Sequence, residues 1–189
     1  IVGSSDRNEF HGNDGNDTIY GGGGEDQIWG DGGDDLLVGG DGIPEGDHLR
    51  GGNIRGGDGN DTILGGNGND TVDGEEGDDT VVGGAGNDIV GGGDGNDVLG
   101  LLGAQSEDGK DTFLGGGGSD TIYAGPDADS IVGGDGSDYL IGTASELNGD
   151  TWSDFDPSVD RIGDDDAVDG GIEVAAKPST CRASTARCS

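Results

Sequence analysis

Of 189 residues, 47 are Gly, 41 are Asp or Glu and only 8 are Lys or Arg, which gives a formal net charge of −33 at pH 7. With 28% hydrophobic and 4% aromatic residues, the chain lacks the apolar side chain that one large core needs to offset the entropy of ordering so much glycine. A body this acidic repels nucleic acid and anionic membrane surfaces, which leaves cations as its natural partners; neither an apolar span of about 20 residues nor a basic-then-apolar leader is present.

The order of the residues points to a repeat. From Gly12 the chain reads GNDGNDTIY, GGGGEDQIW and GDGGDDLLV, with Gly at positions 1 and 4, Asp at position 6 and an aliphatic at position 8 of each nine-residue unit. After an interruption it resumes as GGDGNDTIL, GGNGNDTVD, GEEGDDTVV, GGAGNDIVG and GGDGNDVLG from Gly56 to Gly100, and again as GGGGSDTIY, AGPDADSIV and GGDGSDYLI from Gly115 to Ile141. Counting degenerate copies, about sixteen units span residues 1–153, a period that reads as a repeat architecture. Three departures stand out: extra residues near 43–45, a truncated unit GGNIR at 51–55, and an insertion near 101–105. Insertions in such arrays map to surface loops. The segment 154–174 is expected to cap the array, and 175–189 to form a Ser/Thr-rich tail carrying Cys181 and Cys188. Those cysteines either pair locally, bridge chains or stay free in the tail.

Within each unit, Gly and Asn or Asp supply turn conformations, while the last three residues are β-prone. Strand side chains alternate faces, so position 8 points inward and positions 7 and 9 outward. Position 8 reads Ile19, Ile28, Leu37, Leu49, Ile54, Ile63, Val72, Val81, Val90, Leu99, Phe113, Ile122, Ile131 and Leu140. Two units would form one coil of a flattened right-handed parallel β-solenoid, an all-β fold with strands stacked on two faces and turns on two edges. Along one outward face the counting places Trp29, Leu64, Val82, Val98, Tyr123, Tyr139 and Ile141 in an apolar stripe broken by Arg50, which marks either a surface for lateral association or strand propensity alone.

Packing alone cannot hold such a unit. Fixing nine residues costs about 1–2 kcal/mol each, while one buried Ile or Leu returns about 1.5–3 kcal/mol. The position 6 carboxylates are Asp17, Asp26, Asp35, Asp47, Asp61, Asp70, Asp79, Asp88, Asp97, Asp111, Asp120, Asp129, Asp138 and Asp150, and stacked along two edges they would repel without counterions. Carboxylate and carbonyl oxygens without a His or Cys cluster select calcium over zinc or copper, and flexible turns suit calcium better than octahedral magnesium. Turns on one edge come from alternate units. Asp17 therefore pairs with Asp35, Asp26 with Asp47 and Asp47 with Asp61. The series continues through Asp61 with Asp79 and Asp70 with Asp88 to Asp129 with Asp150, making about eleven sites. His11 and His48 stand isolated, no nucleophile has a base and an orienting group, and no catalytic residue is expected.

Units such as GGDGNDTIL resemble the calcium-binding nonapeptide of RTX proteins, and TWSDFDPSVDRI from Thr151 to Ile162 resembles the segment that closes many RTX rolls. The resemblance implies a β-roll exported to the cell exterior, usually by type I secretion, and folded there by millimolar calcium. It also implies that the position 6 aspartates and the carbonyls of the glycine turns hold the ions. Two roles are compatible with it: an extracellular structural component that self-assembles into a filament, matrix or surface layer, or the C-terminal folding and secretion module of a larger protease, lipase, toxin or adhesin. Homo-oligomers by stacking are expected in the first role.

Overall fold

Residues 7–9 of successive units sort into two parallel ladders. A computed structural model describes residues 1–40, 52–100, 109–142, 147 and 149–163, with the backbone of 181–182. Its strands are, in chain order, β1 (Glu9–His11), β2 (Thr18–Tyr20), β3 (Gln27–Gly32), β4 (Leu36–Gly40), β5 (Asn53–Asp58), β6 (Thr62–Asn67), β7 (Thr71–Glu76), β8 (Thr80–Ala85) and β9 (Ile89–Asp94), followed by β10 (Val98–Leu99), β11 (Thr112–Gly118), β12 (Thr121–Tyr123), β13 (Ser130–Gly136), β14 (Tyr139–Ile141), β15 (Thr151–Trp152), β16 (Arg161–Gly163) and β17 (Cys181–Arg182). Odd strands form one sheet in the order β1 to β17, and even strands form a second in the order β2 to β16. Every pairing is parallel except β15 with β17. This is a parallel β-roll: the chain alternates between the sheets, crossing by an outbound turn from odd to even strands and a return turn from even to odd.

The core is the column of position 8 residues between the sheets. Ile19, Ile28, Leu37, Ile54, Ile63, Val81, Val90, Leu99, Phe113, Ile122 and Ile131 are wholly buried, and Val72 and Leu140 nearly so. Leu49 lies outside the described residues. Trp152 and Ile162 extend the column at the C-terminal end, where Phe155 meets Trp152 edge-on at 4.8 Å.

The register corrects the expected unit count. Ile28 stands beside Ile54 and Leu37 beside Ile63, so the chain between β4 and β5 makes one half-coil and not the two that Leu49 and Ile54 suggested. Gly52 takes the position 6 place there: its N–H donates to Asp70 Oδ1 and its carbonyl accepts from Thr71. A second correction follows for the outward faces. Trp29 lies on the odd sheet, beside Arg55 and stacked on His11 at 4.6 Å. The even sheet presents Thr18, Leu36, Thr62, Thr80, Val98, Thr121, Tyr139 and Arg161 in one outward column, and Tyr20, Val38, Leu64, Val82, Gly100, Tyr123, Ile141 and Gly163 in the other. Arg50 lies outside the described residues.

The two kinds of turn differ. Outbound turns keep six residues from 12–17 to 133–138, whereas the longer connections, which contain 41–51, 101–108 and 143–148, are all return turns. Within a six-residue turn such as 56–61, Gly57 (φ 116°) and Gly59 (φ 134°) take the left-handed backbone that residues with a Cβ resist.

Candidate metal centres

Each turn ends on position 6, and the strand that follows fixes that residue's place in a vertical row. The outbound row runs Asp17, Asp35, Asp61, Asp79, Asp97, Asp120, Asp138 and Asp160; in each step the backbone N–H of one residue donates to Oδ1 of the next at 2.7–3.1 Å. The return row runs Asn8, Asp26, then Gly52, Asp70, Asp88, Asp111, Asp129 and Asp150 by the same bond, with Gly52 offering no side-chain acceptor. Asp61 therefore stands over Asp35, in place of the expected pairing with Asp47. Asp47 itself, and with it the pairing to Asp26, lies outside the described residues.

One carboxylate oxygen is thus spent on the backbone, and the other is not. In Asp26, Asp35, Asp61, Asp70, Asp79, Asp88, Asp97, Asp111, Asp120, Asp129, Asp138 and Asp150, Oδ2 is buried and has no hydrogen-bond partner. These residues are at most 4% exposed. A buried anionic oxygen without a partner costs several kcal/mol, about the penalty of an uncompensated buried charge. Burial accordingly pushes the carboxyls of Asp61, Asp79, Asp97, Asp120 and Asp150 up to about 6 and those of Asp70, Asp111 and Asp129 up to about 7, against the downward pull of the backbone hydrogen bond. Asp26, Asp35, Asp88 and Asp138 rise for the same reason.

What surrounds the free oxygen is backbone. A Cβ on Gly74 would overlap both Asp79 Oδ2 and the carbonyl oxygen of Gly92 in the coil above, and Gly56 and Gly92 are in the same position beneath Asp61 and Asp97. Glycine at position 1 keeps that space open and lets a carboxylate oxygen and a turn carbonyl converge in it. Among the described residues no three His, Cys, Asp or Glu side chains form a cluster. The donors that converge there are one hard carboxylate oxygen and a hard turn carbonyl. Calcium suits such a set.

A family model describing the RTX calcium-binding nonapeptide repeat matches the chain in four copies, over residues 1–43, 50–81, 65–99 and 106–140. The chain belongs to the RTX calcium-binding repeat family. A search of curated proteins finds no match. RTX repeats bind calcium, and twelve buried aspartate Oδ2 atoms among the described residues of this roll have no hydrogen-bond partner.

Three features of the RTX roll escaped the sequence. Asp160 ends the outbound row, but its second oxygen is taken: Asp156 N–H donates to Oδ2 at 2.7 Å while Asp138 N–H donates to Oδ1 at 3.1 Å. The spacing of Asp160, Arg161 and Ile162 repeats positions 6 to 8 and could have revealed it. Asp154 accepts from Gly133 N–H, Gly134 N–H and Trp152 Nε1 at 2.8–3.0 Å, standing in for the carbonyls of a further coil. Position 5 forms an outer ladder in which Asp34, Asn60, Asp78 and Asn96 accept backbone N–H groups coil by coil at 2.8–3.0 Å. At the N-terminal end Asp17 is only partly buried, and Asn8 Oδ1 accepts the Ser4 N–H at 2.9 Å. Among the described residues no helix is long and apolar enough to cross a membrane.

Proposed function

We propose that this chain folds when calcium binds to its turns and works as an extracellular structural roll, with calcium as the agent that hardens it. The observation that carries the reading is the row of buried carboxylate oxygens without partners. Bound calcium would supply the positive charge those oxygens lack. Asp26, Asp35, Asp61, Asp70, Asp79, Asp88, Asp97, Asp111, Asp120, Asp129, Asp138 and Asp150 would each present Oδ2, and the turn carbonyls would complete the shell; Asp17 would join at the N-terminal margin. The chain's own part is to hold each carboxylate by its Oδ1 hydrogen bond, to keep a space open over the position 1 glycine, and to give up protons as the ion enters. Without ions, a net charge of −33 favours the expanded chain, so folding and binding become one event. A site of this kind serves where calcium is millimolar, which is outside the cell.

The alternative role, a folding and export module attached to a larger secreted protein, draws support from the C-terminal end. There Asp154 and Asp160 take up backbone N–H groups, and β17 pairs with β15. An end closed in this way does not invite another roll to stack on it. Far-ultraviolet circular dichroism with light scattering, titrated from chelator to about 10 mM calcium, tests the reading over the range of extracellular sites. A cooperative coil-to-β transition with growing scattering supports the structural role, and the same transition without growth supports the module. No transition would sink the calcium reading itself.

A further inference from the structure

The even sheet's outward face has no carboxylate in either of its two columns, although 41 of the chain's 189 residues are acidic. Its one charge among the described residues is Arg161 at the C-terminal end. The odd sheet, by contrast, carries Glu9 and Asp73 outward. On the even face the columns differ in size. The position 7 column is threonine at four of its eight places, with Leu36, Val98, Tyr139 and Arg161 at the others, and the position 9 column holds Tyr20, Leu64 and Tyr123. Tyr20 is 43% and Tyr139 38% exposed, Leu64 and Tyr123 are half-buried, and Val82 between them is only 4% exposed.

We propose that this face is a self-association surface on which a second copy of the chain packs, the two rolls lying parallel about a two-fold axis that runs along the roll. The inference rests on the calcium-folded state proposed above. A basic partner would gain most at the acidic turns and not on this face, and an anionic surface would be repelled by those same turns. A second copy is matched to it in length and in its lack of carboxylates. The parallel axis is favoured for two reasons. It sets the position 7 column of one copy against the position 9 column of the other, so that Thr62 opposes Leu64 and Thr121 opposes Tyr123, small against large. It also sets outbound turns beside return turns, which separates the outbound position 3 carboxylates Asp58, Glu76, Asp94 and Asp135 of the two copies. The antiparallel choice would bring those carboxylates together.

Eight strands about 4.8 Å apart, with a width of about 15 Å including side chains, give about 500 Å² per copy. The total of about 1,000 Å² is at the low end for specific interfaces, so the dimer is expected to be reversible.

The test is sedimentation velocity of the full chain in 10 mM calcium, at concentrations of about 5–200 µM, with circular dichroism run on the same samples. A concentration-dependent dimer is expected. Leu64→Asp and Tyr123→Asp should weaken it at least tenfold without moving the calcium midpoint of folding, while Leu114→Asp on the odd face leaves it unchanged. Leu64→Thr and Tyr123→Thr, which introduce a residue already common on these strands, provide the same comparison should the aspartate variants fail to fold. A folded wild-type chain that stays monomeric throughout overturns the surface and leaves the calcium reading standing, as does a dimer indifferent to the even-face substitutions. A chain with no calcium-induced β-structure overturns both.

Discussion

Asp79 shows how one side chain divides its work. Oδ1 accepts the Asp61 N–H at 2.7 Å and Oδ2 has no partner, so the two oxygens can be separated by substitution. Asp79→Asn keeps an acceptor for the ladder and discards the charge. It should raise the calcium midpoint several-fold and leave the calcium-saturated stability little changed. Asp79→Ala also strands the buried Asp61 N–H and should cost about 1–3 kcal/mol more, read by urea denaturation in excess calcium. Acid acts on the same atoms. In the ion-free roll burial holds Asp70, Asp111 and Asp129 at about 7 and Asp61, Asp79 and Asp97 at about 6, against 3.8 for an ordinary Asp. The folded state therefore binds protons more tightly than the unfolded one, and the stability of the ion-free roll is greatest below that ordinary value and lost as pH rises through 6 to 7. Calcium must displace those protons. Calcium added to roll already folded at pH 6 should release more protons than at pH 8, and because protons help to hold the ion-free roll folded, the calcium midpoint of folding, read by circular dichroism, should rise with pH between these values.

At the scale of the coil, the return row is broken where Gly52 stands between Asp26 and Asp70. A Cβ at Gly52 would meet its nearest neighbour, the Asp26 carbonyl oxygen, at 3.3 Å, and no positive φ stands in the way. Gly52→Asp should therefore restore a continuous row. Calcium titrations followed by hydrogen exchange should show β1 to β4 gaining protection at a higher calcium concentration than β6 to β14 in the wild type, and the two steps drawing together in the variant. The sequence gives a partial view of this region. Strands, inward column and carboxylate rows were all legible, because Ile63, Phe113 or Asp97 each repeats a local pattern of turn, aspartate and aliphatic. The coil count at residues 39–55 was not, because Leu49 and Ile54 both satisfy that local pattern and only the pairing of Ile28 with Ile54 decides between them. Asp154 was hidden for a related reason: it bonds to backbone groups about twenty residues earlier, from a place that no nonapeptide spacing encodes.

Across the whole molecule, charge and shape are arranged by side. Carboxylates lie mainly in the turns, the even face is free of them, and the C-terminal end is closed by hydrogen bonds. The outbound turns hold a six-residue length while every longer connection before the cap is a return turn. Changes of length are thus confined to one flank, and each leaves the parallel register of the coils before and after it intact, as Val81 with Leu99 and Leu99 with Ile122 illustrate around the connection that contains 101–108. A peptide of about ten flexible residues spliced into that connection should leave the calcium midpoint nearly unmoved, since lengthening a loop adds little closure entropy, whereas the same graft in the turn 74–79 should raise it sharply, as read by circular dichroism. The roll is in this respect a ruler with a writable margin: foreign sequence can be displayed along one side at fixed heights, and switched on by a salt.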